Sequence, residues 1–350
     1  LSADGTTLLT DKEKILSRWA EHFENILNRP SSINEAAIAR LPQVPINTSL
    51  SRPITVEEVT KATKALLHGK APGSDAIPAE IYKTGGPIMT QKLAELFNKM
   101  LQEETLPQEL KDASLVHIYK RKGNRRSCDN HRGISLLSIA GKILARVLLN
   151  RLLKHLETGL LPESQCGFRK GRGTVDMIFA ARQLQEKCKE QHQDLYTTFV
   201  DLTKAFDTVS RAGLWKIMAK YGCPEKFIAL VRAFHDGMQV RVMDDGGASE
   251  PFEVSNGVKQ GCVLAPTLFS IMFSAMLSEA FRDSDPGIPI HYRTDGKLFR
   301  LSRLKAKSKV KKALVHDMLF ADDCALNASS EQEMQHSMDH FSSACDAFGL

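Results

Sequence analysis

The chain has 350 residues, 42% of them hydrophobic and 25% charged, with a formal net charge of +6. That is ordinary globular composition, which excludes a disordered protein and allows two or three lobes with a sizeable core. The longest mostly apolar run, CVLAPTLFSIMFSAML at 262–277, is short for a bilayer span and broken by Pro, Thr and Ser, so no transmembrane helix or membrane partner is expected.

The seven cysteines, at positions 128, 166, 188, 223, 262, 324 and 345, form no C-x2-C pair. This argues against a zinc site and a disulfide framework, and for a reducing, intracellular setting with no disulfide partner. The opening LSADGTTLLTDKEK carries neither an initiator Met nor an apolar signal region, which suggests a fragment. Ile15, Trp19, Phe23, Ile26 and Leu27 fall near one face at helical spacing, so 11–28 reads as an amphipathic helix. Pro30, Pro42, Pro45 and Pro53 make the next interval linker-like. Thr55 and Glu58 have capping-box spacing for a helix through Leu67, with Gly69 as its stop. KAPGSDAIP is a loop, and a further helix covers about 88–101. SLVHIY, 114–119, has strand composition and runs into KRKGNRR, a turn with five basic residues within 120–126.

Residues 134–156 and 174–190 read as long helices separated by the Gly- and Arg-rich QCGFRKGRG. YTTFVDL, 196–202, is a strand with Asp201 at its end. Residues 214–236 are helical, and QVRVMDDGGASEPFEVSNG forms two strands joined by an Asp-Gly-Gly turn, with Asp244 and Asp245 at its tip. From Gly261 a loop enters a helix with Pro266 in its first turn, which buries Leu268, Phe269, Ile271, Met272, Phe273 and Met276. Eight basic residues occupy 297–312, where Lys305, Lys307, Lys309 and Lys311 alternate. On a strand these four share a face that could track a phosphate backbone; a solvated hairpin also accounts for them. The uneven positive charge points to nucleic acid or phosphate as partner.

LFADDCAL, 319–326, sets two adjacent carboxylates between apolar runs. A hairpin turn explains this, since Asp tolerates left-handed backbone. A turn that presents both acids to a hard divalent cation explains it too. If a sheet brings Asp201 and Asp322, 121 positions apart, to neighbouring strand ends, three carboxylates converge. Each close pair then repels by roughly 4 kcal/mol at 4 Å with an effective dielectric near 20. Two divalent ions remove the conflict and serve the in-line displacement used by polymerases and nucleases.

In this order, FVDLTKAFD, NGVKQGCVLAP and FADD resemble the palm motifs of reverse transcriptases, most closely those of non-LTR (LINE-type) retrotransposons. HGKAPGSDAIPAEIYK, LVHIYKRKGN, NHRGISLLSIAGKILARVLLNRL and QCGFRKGRGTVDMIF are similar to that family's fingers segments, so the likeness covers about 54–350. It implies an α+β fold: right-hand polymerase fingers and palm, with an antiparallel palm sheet backed by helices; in departure from the family pattern, a thumb is expected to be missing. It implies three segments: 1–53, helical with a proline-containing linker; 54–190, fingers; and 191–350, a palm that stops before the thumb. The implied activity is RNA-directed DNA polymerase, with an RNA template, a DNA primer and dNTPs as partners. Two Mg2+ ions, replaceable by Mn2+, are the implied cofactors.

The resemblance assigns catalysis to Asp201, Asp322 and Asp323, and metal ligation to these three and the Leu202 carbonyl. Lys120 and Arg132 match cations that bind the triphosphate; Arg121 and Lys122 adjoin Lys120. Phe206 falls at a steric gate against the ribose 2′-hydroxyl, with an ordinary core phenylalanine as the alternative. Gln260 and Gly261 match residues that pack against the incoming nucleotide, where glycine permits close backbone approach. Arg169 matches a template or fingers contact, or else a surface-loop cation. Nucleus and cytoplasm are implied by family alone. Two alternatives stand beside this reading: a non-catalytic nucleic-acid-binding remnant, and a group II intron maturase or other cellular reverse transcriptase.

Overall fold

The computed structural model describes residues 1–3, 5–31, 33–202, 204–259, 261–282, 286–293, 304 and 310–350. The first helix, α1 (Lys12–Leu27), begins where the Asp11 carboxylate accepts the Lys14 N–H, and it buries Leu16, His22 and Phe23. A short helix that the prolines do not suggest, α2 (Glu35–Arg40), is capped by the Asn34 side chain. In α3 (Val56–Lys64) the expected capping box is complete: Thr55 Oγ1 accepts the Glu58 N–H, and the Glu58 carboxylate accepts the Thr55 N–H. Then follow α4 (Ala79–Thr84), α5 (Gly86–Glu103), α6 (Gln108–Lys111), β1 (Ala113–Tyr119), β2 (His131–Leu137), α7 (Ile139–Leu156) and α8 (Thr174–Gln191). Helix across 134–156 is thus correct only from Ile139, because residues 134–137 pair with β1. A ladder partner overrides the local period.

The chain continues through β3 (Tyr196–Asp201), α9 (Ala205–Thr208), α10 (Arg211–Lys220) and α11 (Glu225–Ala233). The single helix expected over 214–236 is two, since Gly222 adopts φ +79° and Pro224 follows it. Next come β4 (Gln239–Asp244), β5 (Gly247–Ala248), β6 (Phe252–Glu253), α12 (Ala265–Ala280), β7 (Ile288–Arg293), β8 (Val310–Val315), β9 (Asp317–Phe320), β10 (Asp323–Ala328) and α13 (Glu331–Phe348). Lys311 lies in β8; Gln260, Lys305, Lys307 and Lys309 fall outside the described residues.

Two compact units interleave along the chain and run across the linear segments 1–53, 54–190 and 191–350. The first comprises Leu1–Ser32, Pro42–Leu160 and Phe206–Leu268; the second comprises Ile33–Leu41, Leu161–Ala205 and Phe269–Leu350. The first unit holds a sheet in the order β2-β1-β4-β5, with β6 also on β4. Here β1 is antiparallel to β2 and parallel to β4. Trp19 of α1 stacks on His117 of β1 at 4.0 Å, and His117 Nε2 lies 3.0 Å from Asp244 Oδ1. Asp244 is therefore a partner of the neighbouring strand as well as part of a hairpin end. The second unit holds the antiparallel sheet β3-β10-β9. Helix α13 packs against β10 and β3, and α8 against β9. The β7–β8 hairpin buries Ile288 against Leu184 and Cys188 of α8. The fold is thus mixed α and β, with antiparallel sheet and helices packed on it. Among the described residues no helix is long and apolar enough to cross a membrane, and all seven cysteines are unpaired.

Buried arginine and lysine fix the first unit's irregular segments. Arg151 of α7 forks onto the Glu58 carboxylate through Nε and Nη2, both at 2.7 Å. It also donates to the Leu50, Arg52 and Pro53 carbonyls, so one side chain ties the chain ahead of α3 to α7. Arg211 donates to the carbonyls of His235, Val254, Asn256 and Gly257, which shapes the loop leading to Lys259. Lys259 Nζ donates to the Lys111 carbonyl at 2.7 Å and the Phe234 carbonyl at 2.5 Å, at the ends of α6 and α11.

Replacing Arg151 with Met strands the Glu58 carboxylate and three carbonyls, so urea unfolding should show a loss of about 3 kcal/mol. Arg151→Lys should fall between, keeping the charge but not the fork. Burial pushes Lys259 down to about 7, helped by Arg211 and Lys111 and opposed by Cys262 and Asp112. Above that value the folded chain has released a proton that the unfolded lysine keeps, so stability rises with pH until the unfolded lysine titrates. Buried Cys223, pushed up to about 12, works oppositely once unfolded thiols ionise near about 8.5. The urea midpoint should therefore rise from about pH 7 to about pH 8.5 in the native chain and stay flatter in Lys259→Met.

Candidate active site

Strand β3 places Thr197, Phe199 and Asp201 on one face. Running antiparallel beside it, β10 sets Asn327, Ala325 and Asp323 opposite those three residues in turn. Directly opposed residues point to the same side, with Cβ atoms about 4.5–5.5 Å apart. Asp201 and Asp323 are consequently neighbours on one face, and both are exposed. At the other end of the ladder Thr197 Oγ1 donates to Asn327 Oδ1 at 2.9 Å, which pins the register. A slip of one residue would turn one acid to the opposite face. Like charges placed this way destabilise a sheet unless a cation offsets them.

Because Asp323 also pairs with Phe320 of β9, only Ala321 and Asp322 form the connecting turn. Ala321 has φ +60°, and Asp322 is half-buried beside it. LFADDCAL is therefore a tight hairpin turn, with Asp322 in the turn and Asp323 opening β10 opposite Asp201. Among the described residues no group of three or more His, Cys, Asp and Glu side chains is disposed to hold an ion. Backbone pairing joins the Asp201 and Asp323 positions, and Asp322 adjoins them in the turn. Chemically, these acids and the Leu202 carbonyl are an all-oxygen donor set that suits hard Mg2+ or Mn2+.

The remaining candidates divide between the units. In the first, Arg132 of β2 is exposed and opposes Ile118 of β1. Lys120, two residues after Ile118 and so on the same face, continues the ladder through its N–H to the Asn130 carbonyl, while its Nζ donates to the Asp129 carbonyl at 2.9 Å. Gly261 adopts φ +110°, and a Cβ there would overlap the Ser135 carbonyl of β2, three residues from Arg132. The glycine is required by that approach. Phe206 is half-buried, and its carbonyl accepts the Val258 N–H at 2.8 Å, joining it to the loop ahead of Gly261.

In the second unit, Arg169 turns inward. Its Nη1 donates to the Pro162 and Gln165 carbonyls at 3.0 and 3.3 Å, and its Nη2 lies 3.6 Å from the Glu163 carboxylate. Lys311 is exposed, opposite Tyr292. Three further residues that the sequence does not single out shape these loops: Arg211 and Lys259 around 254–259, and Gln165 beside the Ala321 turn. No periodicity marks them, since each acts by bonding main-chain groups remote in sequence.

The family model for reverse transcriptase (RNA-dependent DNA polymerase) matches residues 118–350. The chain is similar to the RNA-directed DNA polymerase from mobile element jockey of Drosophila funebris, 31% identical over 76% of this chain and 30% of that protein. It is 33% identical to the jockey protein of Drosophila melanogaster, over 64% of this chain and 24% of that protein. To the probable RNA-directed DNA polymerase from transposon BS of the same species it is 30% identical, over 70% and 27%. The chain thus spans less than a third of the length of these relatives. It belongs to the reverse transcriptase family, on the LINE-type, non-LTR retrotransposon branch.

Proposed function

We propose that this chain carries the nucleotidyl-transfer core of an RNA-directed DNA polymerase, which adds a dNTP to a primer 3′-hydroxyl on an RNA template. The observation that supports this most directly is the pairing of Asp201 with Asp323 on one sheet face, with Asp322 in the adjoining turn. In this reading the β3-β10-β9 sheet is the palm, and the β1–β2 hairpin with its basic turn belongs to the fingers. Asp201, Asp322, Asp323 and the Leu202 carbonyl hold the divalent ions. Two such ions, Mg2+ or Mn2+, when bound lower the pKa of an attacking hydroxyl and neutralise a departing phosphate oxygen.

The primer 3′-oxygen forms a bond to the α-phosphorus, the bond from that phosphorus to the bridging oxygen breaks, pyrophosphate leaves with the electron pair, and the hydroxyl proton passes to solvent. Lys120 and Arg132, on one face of the hairpin, neutralise the triphosphate, a point charge and a fork in complementary roles. Gly261, seated on β2, and Gln260, its neighbour in sequence, pack against the incoming nucleotide. The Phe206 ring excludes a 2′-hydroxyl. Lys311, Lys305, Lys307 and Lys309 track the nucleic-acid backbone. Work in the nucleus and cytoplasm follows from the same likeness.

Incorporation of dNTP on a primed RNA template should require Mg2+ or Mn2+ and fall by about three orders of magnitude in Asp322→Asn, the several kcal/mol that ion-mediated charge stabilisation supplies. Equal signals from the two proteins would leave the non-catalytic nucleic-acid-binding reading in its place. In Phe206→Ala, the ratio of kcat/KM for a dNTP to that for the matching ribonucleotide should drop roughly a hundredfold. An unchanged ratio would make Phe206 an ordinary core residue.

A further inference from the structure

Gln165 has no solvent exposure, and its side-chain amide is engaged entirely with main chain. Oε1 accepts the Ala321 N–H at 3.0 Å and the Gly167 N–H at 2.8 Å, while Nε2 donates to the Ala321 carbonyl at 3.4 Å. The two N–H donors determine which end of the amide is oxygen. Around this contact the backbones are stitched together: the Leu319 N–H donates to the Ser164 carbonyl at 3.0 Å, and the Cys166 N–H to the Leu319 carbonyl at 2.9 Å. A Cβ on Gly167 would overlap the Ala321 nitrogen, so only glycine allows the approach. Arg169 in turn holds the Gln165 carbonyl.

Ala321 needs such support. Its φ of +60° is a left-handed conformation that costs a residue with a Cβ roughly 1–2 kcal/mol, and it persists only where the surroundings over-determine it. The next two residues are Asp322 and Asp323, and Asp323 faces Asp201. Relaxation of Ala321 to negative φ would rotate the following peptide and redirect both carboxylates. Ligand geometry tolerates displacements of only about 0.5 Å.

Resting on the polymerase reading above, we infer that Gln165 is the positioning residue of the acidic turn: its amide locks Ala321 left-handed and thereby aims Asp322 and Asp323 at the strand end of Asp201. Arg169 supports it by fixing its main chain. The residue type follows from the target. Ala321 presents one donor and one acceptor, and an uncharged primary amide answers both at once. A glutamate would accept from the N–H, repel the carbonyl, and add a negative charge beside two others. A methionine keeps the length and apolar packing and loses both bonds.

The test compares the native chain with Gln165→Met by amide hydrogen exchange, by Mn2+ binding followed with electron paramagnetic resonance, and by steady-state incorporation. In the variant, protection at Ala321 and Gly167 should fall about tenfold, the worth of one hydrogen bond, with protection in α12 and the thermal midpoint close to native. Mn2+ affinity should fall roughly 10- to 100-fold, as for other residues that orient ligands from behind, and kcat should drop while the dNTP KM holds. Unchanged exchange at Ala321, or unchanged Mn2+ affinity, would overturn the assignment; so would protection lost equally across α12 and β3, which marks a general packing role. If Gln165→Met does not fold, the native chain alone decides: an Ala321 amide that exchanges as fast as an open turn refutes the clamp. Failure of the polymerase reading shows separately, as equal incorporation by the native chain and Asp322→Asn, while the exchange result still reports on Gln165.

Discussion

The register between β3 and β10 is the constraint on which the rest of the site depends. Six consecutive residue pairs, from Asp323 with Asp201 to Ala328 with Tyr196, run without interruption. Side chains alternate faces with a period of two, so no intermediate arrangement exists: either both acids share a face or they are separated by the sheet. The apolar face of β10, whose Cys324, Leu326 and Ala328 are buried, together with the Thr197–Asn327 hydrogen bond, selects the first arrangement. The sheet stabilises the juxtaposition that the two charges oppose. The two acids thus sit at a strand end, where solvent reaches them and where their mutual repulsion is local.

Side-chain amides and guanidinium groups also hold backbone groups that no strand or helix pairs. Asn98 accepts the Ile54 N–H and donates to the Ile54 carbonyl. Gln191 does the same with His291, and Gln165 with Ala321. Each amide imitates a strand neighbour at a point where no strand is available, so buried main-chain groups stay paired. Arg151 and Arg211 extend the device to several carbonyls at once. A cation buried this way resists substitution by lysine or by an apolar residue, because the cost lies in the carbonyls left without donors. Loops near candidate functional positions in both units are held by this means, around Gly257 in the first and around Ala321 in the second.

Much of the secondary structure was legible from local pattern. Helix α1, the Thr55–Glu58 capping box, β1 and β3 carry their own signals in spacing and caps. The exceptions are instructive. Residues 134–137 have an apolar run compatible with helix, and pairing with β1 made them strand. The break between α10 and α11 needed Gly222 and Pro224 to outweigh continuous apolar periodicity. The order of the acidic motifs was readable; that the backbone of Gly261 packs on Ser135 of β2 was not. Gln165, Arg211 and Lys259 were not, since each bonds peptide groups whose position depends on distant segments.

By itself, the sequence determined the chemistry on offer: three carboxylates at Asp201, Asp322 and Asp323, basic residues clustered in the turn after β1, and motif strings specific enough to name a family. Residue type and order are properties of the covalent chain. Only tertiary structure decided that Asp201 and Asp323 are cross-strand partners, that the Asp322 turn begins with a left-handed alanine, and that Gln165 grips it. Those outcomes depend on which backbone groups come within hydrogen-bonding distance after 121 intervening residues have folded. No local propensity carries that information.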